Sequence, residues 1–229
     1  MISIIIPVLN EEKHITEVLY HLIDNASLNT IQEIIVVDGG STDNTVNLIK
    51  QLDLNITVLH SEKGRAKQMN LGAKMAKGDI LYFLHADSFP PTHYDQLILN
   101  EITKGNNAGC FRLQFDSNHW WLRLASWLTQ FSWRACRGGD QSQFITKALF
   151  NEIGGFDEIY TIYEDNILIN ELYKRKEFVV INKKLKTSAR LYEKIGVWKL
   201  QYLFWTIYIK QWFGASPEDL YNYYKKHIT

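Results

Sequence analysis

Residues 79 to 87 read Asp-Ile-Leu-Tyr-Phe-Leu-His-Ala-Asp, an apolar run that stops at the lone carboxylate of Asp87. Gly78 precedes the run and Pro90 and Pro91 follow it, so it predicts a buried strand of a sheet covered on both faces. Ligands of such sheets bind beyond the carboxyl ends of the strands, which aims Asp87 at a site rather than at solvent. Ile34, Ile35, Val36 and Val37 make a second short apolar run, closed by Asp38, Gly39 and Gly40. Two parallel strands that each bring an Asp to one edge point to a metal or nucleotide site. Either Asp alone is equally well explained as the cap of the turn or helix that follows it.

Outward from these runs, strand and helix alternate. Residues 2–8 predict a strand, and Glu11 to about Asn25 a helix with Ile15, Val18, Leu19, Leu22 and Ile23 on one face. Residues 33–37 predict the next strand, after which Ser41 and Thr42 open a helix carrying Val46, Leu48 and Ile49. Strands at 55–60 and 79–84 enclose a helix at 66–76. This order implies a parallel sheet with right-handed crossovers. Beyond Pro91 the pattern is mixed, with helices near 92–103, 119–133 and 164–174 and strands near 108–115, 143–146 and 178–182.

A chain of 229 residues, 46% hydrophobic with four prolines, can bury a full core and predicts one domain. Cys110 and Cys136 have no metal-ligand or disulfide-framework spacing, which fits a reducing cytoplasm. The amino terminus has no basic segment before its apolar run and meets Glu11 and Glu12 after it, so it reads as a first strand rather than a signal peptide. The formal net charge of zero hides an asymmetry, about −7 over residues 1–170 and about +7 over residues 171–229. All seven tryptophans lie after residue 119. No Gly, Ser or Pro linker accompanies either shift, so residues 1–190 predict the main domain and 191–229 a helical extension of it.

A dinucleotide site needs glycines after the first strand, and here the turn is Pro7-Val8-Leu9-Asn10-Glu11-Glu12, whose carboxylates would repel phosphate. No Walker motif and no nucleophile elbow is present, and the acidic sheet region argues against nucleic acid. A metal that holds a diphosphate needs a hard oxygen ligand beside a cleft, which Asp87 supplies. In Gly64-Arg65-Ala66-Lys67-Gln68-Met69-Asn70 the Arg and Lys can meet phosphates where helix N–H groups face the same way. A solvated basic first turn explains them as well. Tyr163-Glu164-Asp165-Asn166 opens a helix with two adjacent acids. One of them is a candidate general base, and acids there also stabilise the helix dipole by ~0.3–1 kcal/mol.

Together these pieces resemble the family 2 glycosyltransferases. The resemblance runs from Ser3-Ile4-Ile5-Ile6-Pro7-Val8-Leu9-Asn10-Glu11 through Val37-Asp38-Gly39-Gly40-Ser41-Thr42-Asp43, Gly64-Arg65 and Gly78-Asp79. It continues through Leu84-His85-Ala86-Asp87 and Gly154-Gly155-Phe156-Asp157 to Glu164-Asp165, and so covers roughly residues 2–175. It implies an α/β nucleotide-diphospho-sugar transferase fold, a mostly parallel central sheet flanked by helices, a divalent metal (Mn²⁺ or Mg²⁺) and inversion at the anomeric carbon. It also implies donor contacts at Pro7, Asn10, Glu11, Asp38, Gly40, Arg65, Gln68 and His85, with Asp38 at the nucleotide base. Asp87 would ligate the metal, Asp165 would be the catalytic base, and Asp140, Gln141 and Glu164 would face the acceptor.

Two departures from the family pattern matter. His85-Ala86-Asp87 stands where the family has Asp-x-Asp, which makes His85 either a second metal ligand or, as favoured here, a hydrogen-bond partner of the diphosphate. Asp38-Gly39-Gly40-Ser41 replaces Asp-Asp-Gly-Ser, so uridine is the donor nucleotide only by default. The Leu-His-Ala-Asp and Gly-Arg-Ala-x-Gln-Met-Asn variants look like those of a small bacterial subgroup. The competing classes are a non-catalytic nucleotide-sugar binding module and a sugar nucleotidyltransferase. The latter needs a Gly-rich basic turn after the first strand, which is missing.

The segment Ile195 to Phe213 predicts an amphipathic helix. Lys199, Thr206 and Lys210 share a narrow stripe, and Trp198, Trp205 and Trp212 recur every seven residues on another face. Three partners suit the Trp face: the domain's own core, a second copy in a homodimer, or a membrane surface that also attracts the surplus Lys and Arg. Polar interruptions make it a poor spanning helix. On the membrane alternative the protein works in the cytoplasm at the inner face of the cell membrane, on a lipid-linked or apolar hydroxyl acceptor.

Overall fold

A computed structural model of the chain describes residues 1–138 and 141–228. Its amino-terminal part runs β1 (Ile2–Val8), α1 (Ile15–Asp24), β2 (Ile31–Asp38), α2 (Thr45–Gln51), β3 (Ile56–His60), α3 (Arg65–Met75) and β4 (Ile80–Phe83). A two-residue strand β5 (Ser88–Phe89) leads to α4 (Tyr94–Thr103), β6 (Ala108–Phe115), α5 (Trp120–Leu128) and a 3₁₀ turn at Arg134–Cys136. Then come β7 (Gln143–Thr146), α6 (Lys147–Ile153), α7 (Glu164–Arg175) and β8 (Phe178–Thr187). The chain ends in α8 (Arg190–Ile195), α9 (Val197–Trp212) and α10 (Pro217–His227).

Among the described residues the strands form one sheet in the order β3-β2-β1-β4-β7-β6-β8-β5. β1 pairs parallel with both β2 and β4, and β2 pairs parallel with β3. β7 runs antiparallel between β4 and β6, while β6 and β8 are parallel again. The expected α/β class and mostly parallel sheet are therefore present, with antiparallel partners confined to β7 and β5. β1 is apolar on both faces apart from Ser3. Ile2, Ile4, Ile6 and Val8 enter one hydrophobic layer and Ile5 enters the other, so both faces of the strand are covered. α1 lays Ile15, Val18, Leu19 and Leu22 on the first layer, and α3 lays Ala66, Met69 and Ala73 on the second.

Several expected boundaries are corrected. The helix expected from Ser41 starts at Thr45, because Asn10, Asp38 and Asp43 draw the intervening backbone N–H groups into a loop. The aromatic helix ends at Leu128 rather than near 133, where the Thr129 hydroxyl donates to the Ser126 carbonyl and accepts from the Leu113 N–H. The strand expected at 178–182 continues to Thr187 through an irregularity between Phe111 and Arg112, which restores its pairing with β6. The helix expected from Ile195 to Phe213 is present as α9, but it starts at Val197, because Gly196, at a φ of 95°, breaks it from α8. α8 lies before that break and α10 after it. α10 is closed by a capping box in which Ser216 and Asp219 satisfy each other's N–H groups.

Leu200, Leu203 and Ile207 of α9 and Leu220 of α10 are buried in the same layer as β1. Each such side chain contributes about 1.5–3 kcal/mol when fully buried, so hydrophobic packing rather than charge holds the basic carboxyl-terminal segment in position. Gly109 marks the tightest approach in the sheet, since a Cβ there would overlap the Val179 carbonyl oxygen and the Phe144 ring. The obstructing atom is sheet backbone, which cannot rotate away. Gly109→Ala should lower stability by ~1–3 kcal/mol in urea titration with an unchanged slope. A loss below about 0.5 kcal/mol would mean the β6–β8 spacing adjusts freely.

Candidate active site

A cleft of about 420 Å³ opens at the carboxyl ends of β1 and β4, and every wall of it comes from a different part of the chain. Pro7 and Glu11 come from the end of β1 and the turn after it, Arg65 from the first residue of α3, and His85 and Asp87 from the turn after β4. Arg190 arrives from the start of α8, and Phe204 and Tyr224 from α9 and α10. The apolar run of residues 80–84 thus ends its strand at Phe83. His85, Ala86 and Asp87 form a tight turn in which the Ser88 N–H donates to the His85 carbonyl at 3.1 Å. That turn points the acid over the sheet edge.

Two ion-pair groups define the electrostatics. Arg190 forks onto Glu11, with Nη1 2.8 Å from Oε2 and Nη2 2.5 Å from Oε1, and Nη2 also lies 3.4 Å from Asp87 Oδ2. The hydrogen bonds to Glu11 raise the Arg190 pKa further above its ordinary value against the effect of burial, and the charge of Asp87 adds to them. Arg65 forms the second group, with Nε 3.0 Å from Glu164 Oε1 and Nη1 3.7 Å from Asp165 Oδ2. Both acids sit in the first turn of α7, where the helix dipole favours negative charge. The Glu164 side chain is 1% exposed and Asp165 is 12% exposed. The Arg65 contact with Glu164 is near enough for Coulombic pairing but lies off the hydrogen-bond direction, so neither Glu164 oxygen has a hydrogen-bond partner among the described residues. A buried carboxylate in that state is strongly destabilised without its cation, which makes Arg65 the residue on which this acid pair depends.

Asp38, Asn10 and Gln68 form the frame behind these charges. Asp38 accepts from the Ser41 N–H at 3.0 Å and the Gly40 N–H at 3.2 Å, and His60 Nδ1 lies 3.4 Å away. Burial alone would raise this carboxyl, but the hydrogen bonds from Ser41, Gly40 and His60 outweigh it and hold Asp38 below the usual carboxylate range. Asn10, at a φ of 58°, accepts the Thr42 N–H at 2.8 Å on its side-chain oxygen. Gln68 donates to the Val8 carbonyl at 2.9 Å and the Val37 carbonyl at 2.7 Å, tying the ends of β1 and β2 together.

Of the residues singled out in the sequence, the cleft wall contains Pro7, Glu11, Arg65, Gln68, His85 and Asp87. Asn10, Asp38 and Gly40 lie in the adjoining β2–α2 loop and its anchor, and Glu164 and Asp165 reach the wall through Arg65. Gln141 is buried and faces Cys110, whose thiol lies 3.9 Å from its Oε1. Asp140 lies outside the described residues. Sequence reasoning missed Arg190, Lys63, Tyr192, Tyr221 and Lys225, which also line the cleft. The available signal was the run from Lys183 to Arg190, which reads as a longer strand followed by a helix start once its pairing with β6 is known.

A parallel sheet with this carboxyl-edge cleft matches a known family. The model of Glycosyl transferase family 2 matches residues 3–181. The chain belongs to that family. Among curated glycosyltransferases of the family's kind, one from Methanococcus voltae is 38% identical over 95 residues. It is named dolichyl N-acetyl-alpha-D-glucosaminyl phosphate 3-beta-D-2,3-diacetamido-2,3-dideoxy-beta-D-glucuronosyltransferase, and the match takes in 39% of this chain and 30% of that one. The chain spans about a third or less of the length of the first curated relatives it matches. Staphylococcus aureus TarS 1–349, solved in complex with UDP, shares the glycosyltransferase fold with a TM-score of 0.66 at 20% identity, over 82% of this chain and 60% of that one. The mannosyltransferase PcManGT from Pyrobaculum calidifontis, solved with GDP-Man and Mn²⁺, has a TM-score of 0.60 at 17% identity, over 81% of this chain and 56% of that one.

The lowered pKa of Asp38 has a definite sign. A carboxylate held below its unfolded value contributes stability above that value and loses it as pH falls through the folded pKa. Wild type should therefore exceed Asp38→Asn in denaturant stability at neutral pH, and the gap should close as pH falls below about 4. A gap that persists unchanged at acid pH would assign the effect to packing of the β2–α2 loop instead.

Proposed function

We propose that this chain is an inverting glycosyltransferase that moves a sugar from a nucleoside-diphosphate donor to an acceptor hydroxyl. The reading rests on one arrangement: Asp87 and Arg65 line a single cleft on the carboxyl edge of a parallel sheet, and Arg65 ties the acid pair Glu164 and Asp165 to that wall. Family membership and the fold shared with a UDP complex support a nucleotide-sugar donor, with uridine as the default base.

Asp165 is the base in this reading, because Glu164 is more deeply enclosed. Asp165 takes the proton of the acceptor hydroxyl as that oxygen bonds to the anomeric carbon. The anomeric bond to the diphosphate oxygen breaks and the electron pair departs with the nucleoside diphosphate. Arg65 positions Asp165 through their ion pair. Asp38 and its loop receive the nucleotide base, flanked by Asn10 and Gly40. Pro7, Glu11, Gln68 and His85 form the donor wall, and Gln141 and Asp140 belong to the acceptor side.

The donor set suits a divalent ion only in part. Asp87 offers a hard oxygen, yet no group of three ligating side chains exists among the described residues. Asp87 would hold a Mn²⁺ or Mg²⁺, which would supply positive charge to offset that of the leaving diphosphate. His85 is assigned to the diphosphate rather than to the ion. An acceptor on a lipid or other apolar carrier suits a cleft walled by Phe204, Tyr221 and Tyr224, and one relative is named for a dolichyl-linked substrate. The working place is then the cytoplasm, at the inner face of the cell membrane.

Asp165→Asn should leave the fold and donor binding intact while lowering transfer by ~10²-fold or more. If more than about a tenth of wild-type turnover remains, the base role passes to Glu164. For the metal, Asp87→Ala should abolish the Mn²⁺ dependence of nucleoside-diphosphate binding in calorimetric titration, whereas His85→Ala should weaken it only. Equal loss in the two variants would make His85 a direct ligand.

A further inference from the structure

α9 turns two unlike faces to its surroundings. Leu200, Leu203 and Ile207 are buried, while Trp198, Tyr202, Trp205, Ile209 and Trp212 are all exposed, Trp212 to 85%. At 100° per residue those five exposed side chains fall within an arc of roughly 80°, opposite the buried one. The arc is widened by α5. Trp121 Nε1 donates to Gln201 Oε1 at 3.0 Å, and the Trp120 and Trp198 rings lie 5.6 Å apart, so the two helices are neighbours. α5 exposes Trp120, Leu124 and Trp127, again at helical spacing. The result is a two-helix apolar face on which exposed Trp and Tyr predominate and adjoin one another rather than standing singly.

The charges on these helices are all of one sign. Arg123 on α5 and Lys199 and Lys210 on α9 are their only ionisable acids or bases besides Tyr, and neither helix contains Asp or Glu. Lys210 leans over the Tyr223 ring at 5.3 Å, on the flank that also carries Lys199. A twofold dimer through this face would bring together two helix pairs that carry only positive charge, with no Asp or Glu on either helix to pair with it. An anionic lipid surface meets both features at once: Trp and Tyr rings suit the headgroup boundary, and Lys and Arg suit its negative potential. No helix among the described residues is long and apolar enough to cross a membrane.

We propose that the α5–α9 face is a docking surface for an anionic lipid bilayer, on which the protein lies with these two helices in the headgroup layer. The cleft then sits close to the lipid, because Phe204 of α9 belongs to its wall while its neighbour Trp205 belongs to the docking face. Docking uses none of the residues assigned to donor, metal or proton transfer. The surface and the transfer reaction can therefore fail independently.

The test is flotation of the full chain with vesicles of phosphatidylcholine alone and with vesicles containing added phosphatidylglycerol, without donor or metal. The expected result is binding to the anionic vesicles at low salt, at least about tenfold weaker on neutral vesicles and at about 0.5 M salt. Ile209→Glu combined with Trp212→Glu should lower binding by at least about tenfold with the circular dichroism spectrum and thermal midpoint retained. Both positions are exposed, so the fold does not depend on them. Absence of binding by folded wild-type protein overturns the proposal. So does equal binding by the double variant. A wild-type dimer in light scattering that the double variant dissolves, without vesicle binding, would assign the face to a second copy of the chain.

Discussion

The constraint on which everything else rests is the parallel pairing of β1 with β2 on one side and β4 on the other. Parallel neighbours bring their carboxyl ends to one edge, and each needs a crossover that returns the chain over a face of the sheet. Both faces are therefore covered and the strand interiors are mostly apolar, as in β1, where the buried Ser3 is the one polar side chain. The polar groups that end the strands are left at a single rim. Gln68 fastens that rim by bonding the Val8 and Val37 carbonyls at once, so the turns after β1 and β2 stand in a fixed relation.

On that rim, the arginines decide how the acids are used. Glu11, Asp87, Glu164 and Asp165 are four carboxylates in and around one cleft, a concentration of negative charge that would repel a diphosphate. Arg190 pairs with the first two and Arg65 with the second two, each offsetting one charge of its pair. The pairing also sorts the acids by accessibility, with Glu164 sealed inside and Asp165 nearer solvent.

The carboxyl-terminal helices are part of the same construction. Their buried leucines join the layer under β1, and their aromatic side chains line the cleft. The same 16-residue helix that supplies Phe204 to the cleft presents its opposite aromatic stripe to the exterior. Site and surface are thereby coupled through one rigid element.

The features legible from the sequence were those governed by local periodicity and by burial on two faces. The apolar runs within β1 (4–6), β2 (34–37) and β4 (80–83) could be read directly, as could Asp38 at a strand end, because the doubly covered stretch of a strand shows no alternation. The helix carrying Glu164 and Asp165 was legible from its acidic first turn. Tertiary structure alone decided the rest. β5 is two residues long and exists only because β8 runs past it, and β8 reaches Thr187 only because a register shift against β6 lets it. Arg190 and Glu11 meet across a sequence separation of 179 residues, and no pattern in either segment specifies that contact. Hydrophobic periodicity belongs to a segment and its burial, whereas a charge pair belongs to two segments whose distance is set by the packing of everything between them.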